Sequence, residues 1–356
     1  MNKLTFAKDK IHSFIEEQKT LKKYRLLTER EFAKQLNVSR FTVTAALKEF
    51  ELSGVIERRR GSGTFIVENR GPKAFSFGIV SGTPYHVSDK YINMFSNGLS
   101  KCADSKAVRF QVWDGIKLEF QESPQNNRLF KAIDNGMVDG VFVVTRMPIE
   151  ILGAINARIK TVLLNNPAPF DWDGFKTVSC NHFRSGFIAG EFFNKKGHKR
   201  LGYITPRKFH PDAMFQISGL KTAAKVFGIN FGNNDILEYT PKYGIEPLLA
   251  YLKEGKYTGI MVRDDCVAQD IIELLEAEGI KVPDDISVMG TGYYLKYGYS
   301  NASPTTVDCQ YHKMCDVGLH WMLKKLKSKS KEDLRGENMA LVEPKVIDRG
   351  TVLDLS

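Results

Sequence analysis

The sequence predicts an α/β protein in which a small N-terminal helical domain precedes a larger domain of parallel sheets with helices on both faces. Residues 28–67 read as two helices joined by a tight turn and followed by a two-stranded hairpin. Residues 75–307 instead alternate short apolar strands with amphipathic helices. Strands that are apolar throughout, each followed by a helix, are typical of a parallel sheet buried on both faces.

The two N-terminal helices are predicted from their capping residues. Thr28 and Glu31 have the spacing of a capping box, in which each side chain bonds a backbone N–H that the helix leaves unpaired. Ser39 offers a second N-cap after a short turn, and Gly54 suits the C-cap of the second helix because glycine tolerates positive φ.

A basic hairpin is predicted after the second helix. Residues 55–59 alternate like a strand, residues 60–63 are arginine and glycine-rich, and residues 64–67 are β-branched and aromatic. A basic loop with glycines can approach a phosphate backbone closely. A plain helical hairpin would explain the two helices alone, and the basic hairpin favours DNA binding, with the second helix in the major groove.

Five segments of this domain resemble the winged-helix domain of GntR-type transcription regulators, in the same order and spacing. They are TERE at 28–31, VSR at 38–40, TV at 42–43, GVI at 54–56 and RGSGTF at 60–65. The resemblance covers about the first seventy residues and implies a winged helix-turn-helix over residues 1–70. It implies DNA contacts by Arg30, Ser39, Arg40, Thr42, Thr44, Arg60, Gly61 and Gly63. Thr44 stands where many members have a basic residue, so we expect a different operator contact there.

Length and charge agree with two unlike domains. The 356 residues are enough for two or three domains with proper cores. Residues 1–70 hold 15 Lys plus Arg against 9 Asp plus Glu, which is +6 of the total net charge of +10. A basic first domain favours nucleic acid binding at one end and another role at the other. We find no membrane span and no signal peptide in the sequence, and we therefore expect a cytoplasmic protein.

The sequence patterns of enzymes, metal sites and cofactor sites are missing. The five cysteines form no CxxC and have no histidine at metal-ligand spacing, so we interpret them as reduced thiols and predict no metal and no cofactor. GxSxG, Walker A and dinucleotide-binding motifs are not found, and we predict no catalytic residue. Asp264 and Asp265 favour a helix cap and a ligand-binding carboxylate over a metal pair. His198 is interpreted as part of a surface turn.

A polar break at residues 71–74 is the predicted linker, and the second domain then extends over residues 75–356. The predicted strands are 75–80, 108–113, 138–144, 161–164, 177–180, 201–204, 236–239, 259–262 and 286–289. The predicted helices are 91–103, 126–135, 148–157, 183–196, 212–227, 244–254 and 265–278. Two such units in series leave a cleft between them, with the carboxyl ends of the strands facing a ligand.

Several segments of the second domain resemble the effector domain of LacI/GalR-type repressors, which is akin to periplasmic sugar-binding proteins. They are DG at 139–140, GHKRLGYI at 197–204, Gly219, DDCVA at 264–268, VPDDISVMG at 282–290 and TTV at 305–307. The resemblance covers roughly residues 75–354 and implies a periplasmic-binding-protein-like domain of two subdomains, between which the chain crosses three times. We place subdomain one at 75–180 and 309–330, and subdomain two at 181–306 and 339–354, with one last strand near 339–348.

The second resemblance and the strand ends together predict the effector-binding residues. They are Ser81, Tyr85, Trp113, Arg146, His210, Asp212, Gln216, Tyr239, Asp265 and Tyr293. Gln216 replaces the usual arginine of the family, and Gly292 stands where it commonly has aspartate, so we expect a small uncharged polyol, such as a sugar, or another polar molecule. Any single aromatic side chain could equally serve core packing.

These features predict a sequence-specific transcription regulator, a repressor, controlled by a small-molecule effector that is a carbohydrate. It would act as a homodimer on a double-stranded DNA operator, because one winged helix covers only a half-site. Two alternatives stay open. A small-molecule-binding protein whose N-terminal domain serves assembly would lack steep salt-dependent DNA affinity, and an enzyme would turn over a sugar or nucleotide.

Overall fold

The computed structural model describes residues 3–21, 24–52, 55–59, 63–67, 75–83, 85–103, 108–123, 127–165, 175–292, 304–327 and 338–356. The side chains of residues 19, 52, 59 and 85–90 are not described. The chain divides into two compact units, residues 1–75 and 76–356. The predicted linker at 71–74 lies outside the described residues.

The first unit is a helical domain with an antiparallel hairpin. Its elements are α1 (Lys3–Thr20), α2 (Glu29–Leu36), α3 (Arg40–Leu52), β1 (Ile56–Arg59) and β2 (Gly63–Ile66). The predicted capping box is present, since Thr28 N donates to Glu31 Oε2 at 2.7 Å and Glu31 N donates to Thr28 Oγ1 at 3.3 Å. Apolar residues from all three helices and both strands form one core, which confirms the winged helix-turn-helix.

The second unit contains two six-stranded sheets. The elements of the first sheet and its helices are β3 (Phe75–Val80), α4 (Tyr85–Ala103), β4 (Val108–Trp113), α5 (Ile116–Glu122), α6 (Arg128–Asp134), β5 (Gly140–Val143), α7 (Ile149–Arg158), β6 (Thr161–Leu164), β7 (Lys176–Cys180), α12 (Tyr311–Lys327) and β13 (Met339–Val342). Those of the second are α8 (His182–Lys195), β8 (Leu201–Thr205), α9 (Pro211–Phe227), β9 (Ile236–Glu238), α10 (Glu246–Gly255), β10 (Gly259–Val262), α11 (Asp265–Ala277), β11 (Ser287–Thr291), β12 (Thr305–Asp308) and β14 (Lys345–Ile347).

The strand orders are β4-β3-β5-β6-β7-β13 and β9-β8-β10-β11-β12-β14. Neighbours from β3 to β13 and from β9 to β12 run parallel, and β14 runs antiparallel to β12. Tyr203 packs in one core cluster with α8 and α9, whereas its neighbour Ile204 packs in another with α10 and α11. Successive strand residues point to opposite faces, so this sheet has helices on both. The predicted α/β fold class is confirmed. None of the helices within the described ranges is both long and apolar enough to cross a membrane.

The last predicted strand is divided between the two sheets. Residues 339–342 pair with β7 in the first sheet, and only residues 345–347 pair with β12 in the second. The prediction of one strand at 339–348, and of residues 339–342 in subdomain two, is therefore wrong. Pro344 separates the two strands, because proline has no N–H to donate to a ladder. The chain thus crosses between the sheets at residues 180–182, at 308–311 and at 343–344.

Helices α8 and α9 approach each other closely at glycine residues. A Cβ atom on Gly186 would lie 1.9 Å from the backbone oxygen of Gln216, and one on Gly219 would lie 1.9 Å from the backbone oxygen of Phe183. Such distances are far inside van der Waals contact, so no larger residue fits without moving a helix. The close packing sets the separation of the two helix starts.

We expect Gly219→Ala to lower the free energy of unfolding by about 1 to 3 kcal/mol or more, because the added methyl group forces the two helices apart. Chemical denaturation of the purified protein measures this change. The matched control is Gly153→Ala in α7, where a Cβ would meet nothing within 4 Å. That variant should be stabilised by roughly 0.5 to 1 kcal/mol, since alanine is the better helix former. Equal effects of the two substitutions would contradict the packing argument.

Candidate functional site

The start of α3 presents an exposed face in the first unit. Ser39 and Arg40 are exposed, and Phe41 is 84% exposed. Ser39 caps the helix as predicted, since its Oγ accepts a hydrogen bond from Thr42 N at 3.1 Å and lies 2.7 Å from Thr42 Oγ1. Phe41 was not among the predicted DNA contacts, although its exposure places an apolar ring beside them. Arg30 is exposed on α2.

Glu29 ties the start of α3 to the first strand of the hairpin. Its Oε2 accepts from Arg40 Nε at 3.2 Å, and its Oε1 accepts from Arg58 Nη1 at 3.0 Å. Burial raises the pKa of Glu29, but hydrogen bonds from Thr44 and Arg40 and the charge of Arg58 outweigh it and lower the pKa overall. Thr44 Oγ1 also lies 3.0 Å from the backbone oxygen of Arg40, so the single hydroxyl proton of this predicted DNA contact has acceptors within the domain.

The hairpin carries a further cation that the sequence analysis missed. Leu26 N donates to Thr64 O at 2.9 Å, so the segment before α2 pairs with β2. This pairing places the guanidinium of Arg25 beside Gly63, whose Cβ position would lie 3.5 Å from Arg25 Nε. Gly63 is exposed with a φ of 115°. The predicted contacts Arg60 and Gly61 lie outside the described residues.

In the second unit, charged side chains converge at the carboxyl ends of the parallel strands. Arg146 follows β5, His182 follows β7, His210 and Asp212 follow β8, and Arg263 follows β10. We name these five residues the Asp212 cluster. The nearest nitrogen atoms of the two arginines lie 3.9 Å (Arg146) and 3.7 Å (Arg263) from the carboxylate oxygens of Asp212. Those of the two histidines lie 3.8 Å (His182) and 3.6 Å (His210) away.

Burial and neighbouring charges shift the pKa values of the ionisable groups in the Asp212 cluster. Burial lowers the pKa of His210 to about 4 and also lowers the pKa of His182, in both cases against the opposing charge of Asp212. Burial raises the pKa of Asp212, but the nearby histidines and arginines outweigh it and lower the pKa overall. At neutral pH both histidines are therefore uncharged. One carboxylate then faces the two guanidinium groups of Arg146 and Arg263.

Several buried polar atoms of the second unit have no hydrogen-bond partner in the described part of the chain. They are Trp113 Nε1, Asn165 Oδ1, both ring nitrogens of His182, His210 Nδ1, Asp212 Oδ1 and Thr240 Oγ1. Separations of 3.6 Å or more are too long for direct hydrogen bonds. Buried polar groups in proteins are nearly always bonded, so a concentration of unbonded ones at strand ends marks a site for a polar ligand.

Other predicted effector residues have partners inside the protein. Gln216 Oε1 accepts from Tyr203 OH at 2.7 Å, Tyr239 OH donates to Gly244 O at 2.8 Å, and Asp265 Oδ1 accepts from Thr306 Oγ1 at 2.6 Å. Ser81 is buried, and its hydroxyl donates to Thr83 O at 2.9 Å. These contacts favour structural roles for the four residues. Tyr293 and the side chain of Tyr85 lie outside the described residues.

The structure adds His182 and Arg263 to the predicted cluster of Arg146, His210 and Asp212. Both added residues lie just after a strand. His182 is the second residue after β7, and Arg263 is the first residue after β10. A polar residue at the carboxyl end of a parallel strand was the signal that could have identified them. Trp113, at the end of β4, packs in the core cluster of the first sheet with Val80 and Ile116, and its Nε1 is unbonded among the described residues.

The histidines make stability depend on pH. Between about pH 6.5 and pH 4 the unfolded chain binds a proton at His210 that the folded chain does not, so stability falls as the pH falls through this window. The loss is measured by chemical denaturation, as the free energy of unfolding at pH 7 minus that at pH 5. We expect this difference to be about 1 to 2 kcal/mol smaller in His210→Gln than in the wild type. His320→Gln, at an exposed position of α12, is the control and should leave the difference unchanged. An identical pH dependence in wild type and His210→Gln would contradict the assignment.

Comparisons with known proteins agree with this division of the chain. Residues 7–66 match the family described as bacterial regulatory proteins, gntR family, and residues 191–352 match the periplasmic binding protein-like domain. The HTH-type transcriptional repressor PurR of Klebsiella pneumoniae is 24% identical over 228 residues, which are 61% of this chain and 64% of that protein. PurR of Photobacterium profundum is 24% identical over 182 residues, which are 50% of this chain and 53% of that protein. The chain thus spans less than two thirds of the length of these relatives.

Solved structures support the fold of the second unit. The transcription regulator CcpA of Lactococcus lactis has a TM-score of 0.63 and 17% identity, with 79% of this chain and 100% of that chain covered. A LacI family transcriptional regulator from Enterococcus faecium, solved with bound ribose, also has a TM-score of 0.63 and 17% identity, with 79% of this chain and 100% of that chain covered. The family matched by residues 7–66 is one of regulatory proteins, and the two relatives are transcriptional repressors and not enzymes, as the sequence predicted. The chain therefore carries a gntR-family helix-turn-helix domain followed by a periplasmic binding protein-like domain.

Proposed function

We propose that the protein is a transcription regulator, a repressor of the bacterial cytoplasm, whose DNA affinity is set by a small molecule bound at the Asp212 cluster. The observation that carries the proposal is the group of buried, unbonded polar atoms at the strand ends of the second unit. The gntR-family domain supports DNA binding by the first unit, and the repressor relatives support the direction of control.

The charge of the cluster favours an effector with one anionic group and several hydroxyl groups. Arg146 and Arg263 bring two guanidinium groups within 4 Å of one carboxylate, that of Asp212. Guanidinium groups bind carboxylate and phosphate groups with paired, charge-assisted hydrogen bonds. Asp212 and Thr240 would accept from ligand hydroxyls, and Trp113 Nε1 would donate. We therefore replace the uncharged polyol expected from the sequence by a sugar acid or a sugar phosphate.

The family resemblance predicted an uncharged ligand because Gln216 and Gly292 stand where that family usually has arginine and aspartate. In the structure Gln216 is 1% exposed and bonded to Tyr203, whereas Arg263 brings a guanidinium to the cluster from β10. The positive charge that the family obtains from an arginine at this position is thus supplied here by Arg263, which follows β10.

A thermal-shift panel of matched pairs tests the effector class. Each pair compares a neutral sugar with its acid or its phosphate ester, for example glucose with gluconate and ribose with ribose 5-phosphate. A ligand that binds only the folded state raises the unfolding temperature by mass action. We expect shifts for anionic members only. Stabilisation by a neutral sugar and not by its acid would overturn the proposed class.

Reciprocal titrations test the proposed regulation. Operator DNA is first selected from a random duplex pool, and its affinity is then measured by fluorescence anisotropy at several salt concentrations, with and without the effector. An allosteric regulator must change operator affinity and effector affinity by the same factor. Affinity for DNA that does not depend steeply on salt would instead support the alternative, an N-terminal unit used for assembly.

A homodimer is part of the proposal. Apolar side chains at the starts of α8 and α9 are exposed, with Phe183 at 40%, Met214 at 52% and Phe215 at 38%, and Phe209 before α9 is 81% exposed. Exposed apolar side chains grouped on neighbouring elements favour a protein partner, and two copies of the winged helix would read a two-fold operator. Analytical ultracentrifugation should give twice the chain mass, and a monomer bound to its operator would contradict this assembly.

A further inference from the structure

Two of the crossings between the sheets meet at a buried group of two thiols and an imidazole. Cys180 ends β7, His182 begins α8, and Cys309 follows β12. One ligand atom from each residue lies within 4.8 Å of the other two. The residues are 1%, 5% and 1% exposed respectively, and Cys309 forms a hydrogen bond with Cys180. We name these residues the crossing cluster.

The imidazole of His182 is the feature that points to a ligand. Its ring is almost fully buried, yet neither Nδ1 nor Nε2 has a hydrogen-bond partner within the described ranges. Asp212 Oδ1, the nearest carboxylate oxygen, is 3.8 Å from Nε2, which is too long for a direct bond. A buried imidazole with both nitrogens unbonded is costly unless something else binds it.

We propose that the crossing cluster binds a thiophilic cation such as Zn²⁺ through the two sulfur atoms and one nitrogen of His182. Thiolate and imidazole ligands select zinc and similar ions, whereas magnesium and calcium require oxygen ligands. Binding replaces the two thiol protons, which leave to solvent, and no redox step is involved. Three protein ligands leave the fourth tetrahedral position for a small ligand such as water.

The separations fit such an ion after a small adjustment. Bonds of about 2.3 Å to sulfur and about 2.0 Å to nitrogen place tetrahedral ligand atoms roughly 3.5 to 3.8 Å apart. The three ligand atoms lie within 4.8 Å of one another, so each pair has to approach by at most about 1.3 Å. Side-chain rotation suffices for a movement of this size.

The position of the crossing cluster gives the ion a consequence for regulation. Cys180 and His182 belong to one crossing and Cys309 to another, so an ion joins two segments about which the sheets can rotate when a ligand closes the cleft. His182 also belongs to the Asp212 cluster, which links the ion to the effector site. This regulatory consequence rests on the proposed function, whereas metal binding itself does not.

The test uses the full, reduced protein after treatment with a chelator, titrated with Zn²⁺ or Co²⁺ alone. We expect one metal ion per chain after gel filtration, and a cobalt complex with the intense ultraviolet bands of thiolate ligation. At a denaturant concentration that partly unfolds the metal-free protein, zinc should also protect two of the five cysteines from alkylation. This wild-type measurement does not depend on the folding of any variant. A reduced protein that retains no metal and shows no protection overturns the proposal.

Variants identify the ligands. Cys309→Ser and His182→Gln should each weaken zinc binding at least about tenfold, with folding checked by circular dichroism. The matched control is Cys102→Ser, which removes a thiol that also lies beside a histidine, with Cys102 Sγ 3.7 Å from His312 Nε2. That control should bind zinc as the wild type does. Loss of zinc in Cys102→Ser but not in Cys309→Ser would overturn the assignment of the crossing cluster.

Discussion

Arg263→Ala should weaken the binding of an anionic effector by about 10-fold to 150-fold, because a charge-assisted hydrogen bond contributes roughly 1.5 to 3 kcal/mol. The side chain of Arg263 is 21% exposed and its Nη2 lies 3.7 Å from Asp212 Oδ2, so it faces the cluster with little competition from water. Operator binding by the effector-free variant should stay within about twofold of wild type, since we propose that the other unit binds the DNA. Isothermal titration calorimetry measures the first quantity and fluorescence anisotropy the second.

A neutral analogue of the same effector is the control for Arg263→Ala. The variant should lose much less affinity for the analogue, because the missing guanidinium has no anion to bind there. Equal losses for the acid and its neutral analogue would mean that Arg263 supports the fold of the cleft and does not recognise charge. The affinity of Arg263→Lys for the anionic effector should lie between those of the wild type and Arg263→Ala, since an ammonium group keeps the charge but not the paired geometry.

Arg40→Ala should reduce operator affinity by about 5-fold to 150-fold, which corresponds to roughly 1 to 3 kcal/mol for a side chain that bonds a base edge. Arg40 lies at the exposed start of α3, and Glu29 holds its guanidinium in place from the side. Specificity at one base pair of each half-site should relax. Binding to a panel of single-base operator variants measures both effects.

The control for Arg40→Ala is Arg128→Ala in the second unit. Both side chains are 61% exposed and both form an ion pair with a glutamate, Arg40 with Glu29 and Arg128 with Glu119. Removing Arg128 should leave operator affinity unchanged. If both variants lose affinity alike, the loss reflects net charge and α3 does not read the operator through Arg40.

Local chemistry made much of the fold predictable. The capping box at Thr28 and the unbroken apolar strands fixed the position and type of their elements, because each signal depends only on neighbouring residues. The short helix α5 was missed. It begins after Gly115, which has a φ of 67° and gives no side-chain cap to signal a start. His198, interpreted as part of a surface turn, is 1% exposed and bonded to Thr258 and Leu353.

The site was harder to predict than the fold because it depends on which strands are neighbours. Arg146 and Asp212 were identified, but their meeting with Arg263 required the order of strands in two different sheets. The crossing cluster shows the same difficulty. Cys180 and Cys309 are distant in sequence and have no recognisable metal spacing, so only the topology of the crossings brings them together. The alternation of apolar residues likewise could not predict that residues 339–347 are divided between two sheets.

The glycine contact between α8 and α9 limits how this protein can change its specificity. His182 and Asp212 sit on the first turns of these two helices, and the glycines leave no room to widen or narrow their spacing by single substitutions. A library built to select new effectors should therefore keep Gly186 and Gly219 and vary the positions that follow the strands, such as Asn165, Thr240 and Arg263. Selected variants are expected to exchange the chemistry at these strand ends while the frame that positions them stays the same.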